Sequence, residues 1–182
     1  MQIKLRVAII LFVIPSVLVG FSACSKKTPA TQVSVAAIPQ EDLEAQKIRE
    51  QLEKERQEHE AKVRQLRAEK IKFMDEDVYF EKGSYKLGLE ARKLLKSKAQ
   101  WLQKHSDLKV IVEGHTDEAG SKEYNFALGD QRAGAVKSFL IGQDVQSWRL
   151  IAVSYGNERP IDTGNLETAK SKNRRVHFVL EE

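Results

Sequence analysis

Two side chains of opposite charge, Asp117 and Arg132, carry the first chemical signal in this sequence. Asp117 sits in the short stretch Gly114–His115–Thr116–Asp117–Glu118–Ala119–Gly120, directly after the apolar run Val110–Ile111–Val112. Arg132 follows on a segment whose apolar positions, Phe126, Ala127, Ala133 and Val136, fit a helix. A strand ending in a carboxylate-bearing loop, then a helix returning an arginine about four turns later, can present one negative and one positive charge to one ligand. That suits a zwitterion, because the carboxylate accepts from an ammonium while the guanidinium donates in parallel to a carboxylate. Taken alone, Asp117 reads first as a turn-capping aspartate near Gly120.

Other chemistries find no support. His115 neighbours Asp117, but His59, His105 and His177 are scattered without metal-ligand spacing. His115 is therefore read as structural. No Ser–His or Cys–His arrangement is evident, so neither an enzyme nor a cofactor is expected. The formal charge of +4, from 30 basic and 26 acidic residues, is too diffuse to argue for nucleic acid.

The elements that must position these residues alternate in type. Asp77–Val78–Tyr79–Phe80 is a short β-prone run. Leu87, Ala91, Leu94, Leu95, Ala99 and Leu102 recur at helical spacing. Leu108 to Glu113 reads as a second strand, Lys122 to about Leu140 as a second helix, and Leu150–Ile151–Ala152–Val153 as a third strand. Gly156, Pro160 and Gly164 mark a loop, and Val176–His177–Phe178–Val179–Leu180 closes the chain as a fourth strand. This predicts an α/β domain over 73–182: a two-layer sandwich of a mixed β-sheet with its helices on one face. Trp101 and Trp148 are expected to pack against it. Neither Asp117 nor Arg132 is assigned to the apolar core, so losing either should spare the fold.

The N-terminal part is organised differently. Lys4 and Arg6 precede an apolar stretch from Val7 to Val19, then small residues at Gly20, Ser22 and Ala23 lead to Cys24. That pattern predicts an export signal over 1–23. An uncleaved membrane anchor competes, but the run is shorter than the roughly 20 apolar residues of a spanning helix and Pro15 interrupts it. Cys24 is the only cysteine, which excludes an intrachain disulfide. Residues 24–40 read as a flexible tether rich in Ser, Thr, Ala and Pro. Residues 41–72 are dominated by Glu, Lys, Arg and Gln, with acid-first pairs such as Glu50–Lys54 and Glu60–Arg64. A solvated single helix of about 45–50 Å is favoured there over a dimer seam.

Several motifs in one order resemble the OmpA-like peptidoglycan-binding domain: Val78–Tyr79–Phe80, Glu113–Gly114–His115–Thr116–Asp117, Asn125–Phe126–Ala127–Leu128–Gly129, Arg132–Ala133, Ser154–Tyr155–Gly156–Asn157–Glu158–Arg159–Pro160 and Asn173–Arg174–Arg175–Val176. Within that family the match is closest to peptidoglycan-associated lipoproteins of Tol–Pal systems. The resemblance implies that Asp117 and Arg132 hold the diaminopimelate of the peptidoglycan stem peptide, assisted by Asn125, Thr116 and Arg174. Asn125 is alternatively a helix cap, and an acidic partner is alternatively the role of Arg174 or Arg175. Phe21–Ser22–Ala23–Cys24 resembles a lipobox, which implies lipidation of Cys24. Ser25 then favours the periplasmic face of the outer membrane. The implied partners are peptidoglycan, the outer membrane through its lipid anchor, TolB and other Tol proteins, and no nucleic acid. A hydrolase accessory and a stator-like inner-membrane anchor are the rival readings. The sequence departs from the family at Glu81–Lys82–Gly83, where an acidic stretch is common, and more mildly at Gln131.

Overall fold

A computed structural model describes residues 40–181. The chain divides into two units, residues 1–44 and 45–182, and the second carries the fold. Cys24, the signal and the tether up to residue 39 lie outside the described residues.

Helix α1 (Gln40–Asp75) is long, highly charged and free of Gly and Pro, and its Gln51–Glu55, Arg56–Glu60 and Arg64–Glu60 contacts follow the i,i+4 rule. Ile48, Leu52 and Val63 remain exposed on it, so this stretch has no core of its own. Its last turns behave otherwise. Phe73 is buried, its ring 4.8 Å from that of Trp101, and Trp101 Nε1 donates to Glu69 at 3.1 Å. The helix therefore runs past Lys72 and ends inside the domain.

The domain continues with β1 (Val78–Tyr79), α2 (Leu89–Lys104), β2 (Lys109–His115), α3 (Lys122–Ile141), a 3-10 turn (Ser147–Arg149), β3 (Leu150–Gly156), α4 (Glu167–Asn173) and β4 (Arg175–Glu181). The sheet order is β1-β4-β2-β3, antiparallel except for the parallel β2–β3 pair, so the sheet is mixed as expected. Alternation sets its two faces. Val110, Val112, Leu150, Val176 and Phe178 are buried against Leu95, Ala99 and Leu102 of α2 and Ala133, Val136 and Leu140 of α3. On the opposite face Ile111 pairs with Val179 and Ile151, and none of these three is fully buried.

Three local features differ from the sequence reading. Helix α4 has no counterpart in the sequence reading, because seven residues with only Ala169 and Asn173 buried carry no apolar period. Asp77 is not in the first strand, which is two residues long. Trp148, expected to pack, is 63% exposed beside the start of β3.

Candidate functional site

Helix α3 sets the site. Ser121 caps it by accepting from Tyr124 N at 3.2 Å, which satisfies an otherwise unpaired N–H of the first turn. From there Asn125, Gly129 and Arg132 recur at i+4 and i+3, hence on one face, and all three are buried. Gly129 lets that face lie directly on the sheet: a Cβ there would come 2.3 Å from Ser154 Oγ and 2.9 Å from Gly114 O. A Cβ on Gly114 would approach Gly129 O to 1.9 Å. The two glycines thus bring the helix against the ends of β2 and β3, and Arg132 with it.

Arg132 has no exposed surface. Its guanidinium donates to three carbonyls: Nη1 to His115 at 2.8 Å, Nε to Ser84 at 2.9 Å and Nη2 to Glu81 at 3.1 Å. It also lies 5.2 Å from the Phe80 ring centroid. Burial lowers its pKa to about 10, opposed by the nearby Asp117 charge and reinforced by Arg174, so it stays cationic at neutral pH. The Glu81–Ser84 turn, with Gly83 at φ +63, is therefore strapped across the arginine by its backbone. This gives the unusual Glu81–Lys82–Gly83 sequence a physical reading, since carbonyls rather than side chains make the contact. It also corrects one expectation: Arg132 is part of the buried framework, and its loss will not spare the fold.

Asp117 is buried two residues beyond β2. Its Oδ1 accepts from Ala119 N at 3.2 Å, the turn-capping role, while Oδ2 meets Arg174 Nη1 at 3.1 Å. Both roles coexist on one carboxylate, because an ionised carboxyl has more than two acceptor sites. Arg174 also donates to Glu167 at 2.6 Å and to Phe80 O at 3.2 Å. Burial works against its charge, but the bonds to Glu167 and Asp117 outweigh it and raise its pKa. Asp117, Arg132 and Arg174 thus form one charge cluster under the Phe80–Ser84 segment, with both guanidiniums fixed.

Thr116 and Asn125 are buried beside it, and their side-chain polar atoms have no hydrogen-bond partner in the protein. Asn125 is not the helix cap, a role taken by Ser121. The two residues are joined through Gly156, whose O accepts from Thr116 N at 2.8 Å. Its left-handed backbone also passes so close to Asn125 that a Cβ would meet the Asn125 carbonyl carbon at 3.1 Å.

His115 and Arg175 belong to a separate group. The His115 ring stacks on Tyr155 at 5.6 Å, and burial followed by the charges of Arg175, His177 and Arg159 pushes its pKa down to about 3. Arg175 pairs with Asp77 at 3.3 Å, and Asp77 with His177 at 2.8 Å. No group of three or more His, Cys, Asp or Glu among the described residues could hold a metal ion.

The sequence reading missed Glu167 and the carbonyls of Phe80, Glu81 and Ser84. Glu167 was findable, because seven residues before Arg174 is two helical turns and hence one face, once α4 is recognised. The carbonyls carry no side-chain signature.

The sequence profile of the OmpA family matches residues 79–174, more than half of the chain, and the chain belongs to that family. It is 49% identical over 100 residues to the peptidoglycan-associated lipoprotein of Pseudomonas aeruginosa, covering 55% of this chain and 59% of that protein. To the peptidoglycan-associated lipoprotein of Brucella melitensis it is 41% identical over 103 residues, covering 57% and 61%. The chain thus spans about three-fifths of the length of the curated relatives it matches. The crystal structure of the peptidoglycan-associated lipoprotein from Burkholderia pseudomallei superposes with a TM-score of 0.57 at 38% identity, over 58% of this chain and 89% of that one.

Proposed function

We propose that this protein is a non-enzymatic wall anchor. Its OmpA-like domain binds peptidoglycan non-covalently, and its N-terminus is held in the outer membrane by lipid on Cys24. The observation that carries the wall-binding part is the cluster of Asp117, Arg132 and Arg174 with the unpartnered Thr116 and Asn125 beside it. A carboxylate paired with one fixed guanidinium and within electrostatic reach of a second matches the side-chain end of diaminopimelate, which carries an ammonium and a carboxylate on one carbon. The ammonium takes the acceptor sites that Asp117 does not give to Ala119 and Arg174. The ligand carboxylate takes guanidinium donors of Arg132 and Arg174, and at Arg132 it exchanges with the Glu81 and Ser84 carbonyls. Relatives named for association with peptidoglycan support the reading.

The same reading makes the chain the lipoprotein of a Tol–Pal system, with residues 1–23 as signal, 24–40 as tether and TolB as the periplasmic partner of the wall-binding domain. Its direct test is titration of the full chain with a diaminopimelate-containing stem peptide, beside the lysine-containing analogue. Tighter binding of the diaminopimelate peptide is expected, because the analogue lacks the second carboxylate. Equal binding of both sinks the site. A pull-down that recovers no TolB removes the Tol–Pal assignment and leaves the wall anchor.

A further inference from the structure

The charged cluster serves the zwitterionic end of a ligand but not the chain that carries that end. In diaminopimelate a run of methylenes joins the two ends, and such carbon gains from an apolar wall beside the ionic contacts. Asp117, Arg132 and Arg174 supply no such wall, and the Phe80 ring near Arg132 is itself buried. Tyr124 lies differently. Side chains on a helix lean toward its N-terminus, and from the first turn of α3 the Tyr124 ring leans over Gly120. A Cβ on Gly120 would come 2.8 Å from Tyr124 Cδ1, so the ring lies directly on that backbone. At its far end the Tyr124 hydroxyl stands 3.6 Å from where a Cβ of Gly83 would be. Gly120 follows Asp117 in its loop and Gly83 belongs to the strap over Arg132; both have positive φ, 102° and 63°, which suits a residue without a side chain. The ring therefore spans the two segments that flank the cluster. It is near enough for its ionisation to act on Arg132, yet it is 51% exposed and open to a ligand.

We infer that the Tyr124 ring is the wall against which the ligand's aliphatic chain packs, which makes it a specificity-determining residue of the charged site. The cluster recognises the paired ammonium and carboxylate, and Tyr124 reads what carries them: an unsubstituted hydrocarbon chain. This rests on the peptidoglycan reading of the Asp117 cluster. A polar group on the chain would lose its water against the ring without gaining a hydrogen bond there, so the site discriminates against it.

The experiment titrates full-length wild type, Tyr124→Ala and Tyr124→Phe with two probes, a diaminopimelate-containing stem peptide and the same peptide with one hydroxyl on the diaminopimelate chain. Thermal melts accompany each variant. Wild type is expected to bind the hydroxylated peptide about tenfold more weakly. Tyr124→Ala should weaken the plain peptide about three- to tenfold and erase the preference between the two. Tyr124→Phe keeps the ring and should restore both the affinity and the preference. Wild type without a preference overturns the wall, and so does Tyr124→Ala that keeps the preference, whether it binds like wild type or loses both peptides equally. A Tyr124→Phe variant as weak as Tyr124→Ala overturns it as well, because the hydroxyl rather than the ring would then make the contact. All of these outcomes leave the charged cluster standing. Wild type that binds neither peptide overturns the wall together with the peptidoglycan reading.

Discussion

At the scale of single residues, Asp117 and Arg132 need different substitutions because they hold the structure differently. Asp117→Asn keeps an oxygen for Ala119 N–H, and Arg174 retains Glu167, so the fold is expected to survive. Removing the charge should cost about 1.5–3 kcal/mol of binding, or roughly ten- to a hundredfold in affinity for the stem peptide. Arg132→Ala instead strips donors from three carbonyls in a buried site and is expected to destabilise by on the order of 3 kcal/mol. Melting curves beside titrations separate the two effects. A folded Asp117→Asn that binds like wild type removes the aspartate from the site. His115 supplies a pH signature. The unfolded chain takes up its proton near the ordinary 6.5, whereas the folded chain does so only at about 3. Between those values the unfolded state binds more protons, so stability falls as pH drops through that window and is whole above it. His115→Phe should flatten this slope in denaturant melts between pH 4 and 7.5. An unchanged slope would mean that His115 is not the group responsible.

At the scale of elements, packing at the glycine contact decides whether the site exists. Gly129→Ala forces α3 away from Ser154 and the Gly114 carbonyl, an overpacking expected to cost about 1–3 kcal/mol and to shift Arg132. Circular-dichroism melts should show it, and a variant as stable as wild type would contradict the close approach. The sequence told of α2 and α3 through apolar residues at helical spacing, and of β2, β3 and β4 through short apolar runs that contribute to the core. It was silent on α4, whose hold on the site runs through Glu167 and Asn173 rather than through an apolar stripe. It also set the end of the charged helix at Lys72, by composition. Composition reports solvation along most of α1 correctly but not the single aromatic, Phe73, that commits the final turns to the core. The candidate residues were legible as a set from family motifs. What was not legible is that Arg132 is covered by the backbone of Glu81 and Ser84, since a carbonyl is common to every residue. For the same reason Phe73→Ala, outside the matched family segment, is expected to cost about 3–5 kcal/mol in chemical denaturation. A loss under 1 kcal/mol would return the helix end to the role of a passive spacer.

At the scale of the whole molecule, the proposed function demands two grips that fail independently, one on lipid and one on the wall. A single myristoyl-type chain binds membranes only marginally, so a stable anchor requires more than one acyl chain, which a lipidated N-terminal cysteine provides. Fifteen residues, 25–39, lie between Cys24 and the charged helix, and they span at most about 50 Å at roughly 3.4 Å each. The wall grip, by contrast, is a set of hydrogen bonds and ion pairs, reversible for each copy and effective in numbers. Cys24→Ser should therefore leave the membrane fraction yet still sediment with purified walls. Asp117→Asn should do the reverse, staying with the membrane while its wall sedimentation falls about ten- to a hundredfold, in line with its affinity loss. Mass spectrometry of the native N-terminus belongs beside this fractionation: a triacylated Cys24 is the expected species, and an intact Met1 refutes lipid anchoring. If Cys24→Ser stays in the membrane fraction after the walls have been digested, the hold is not lipid, and the stator-like arrangement with an uncleaved apolar segment becomes the better account. If both variants leave both fractions together, the two grips are not separate, and the protein is not a bridge between layers.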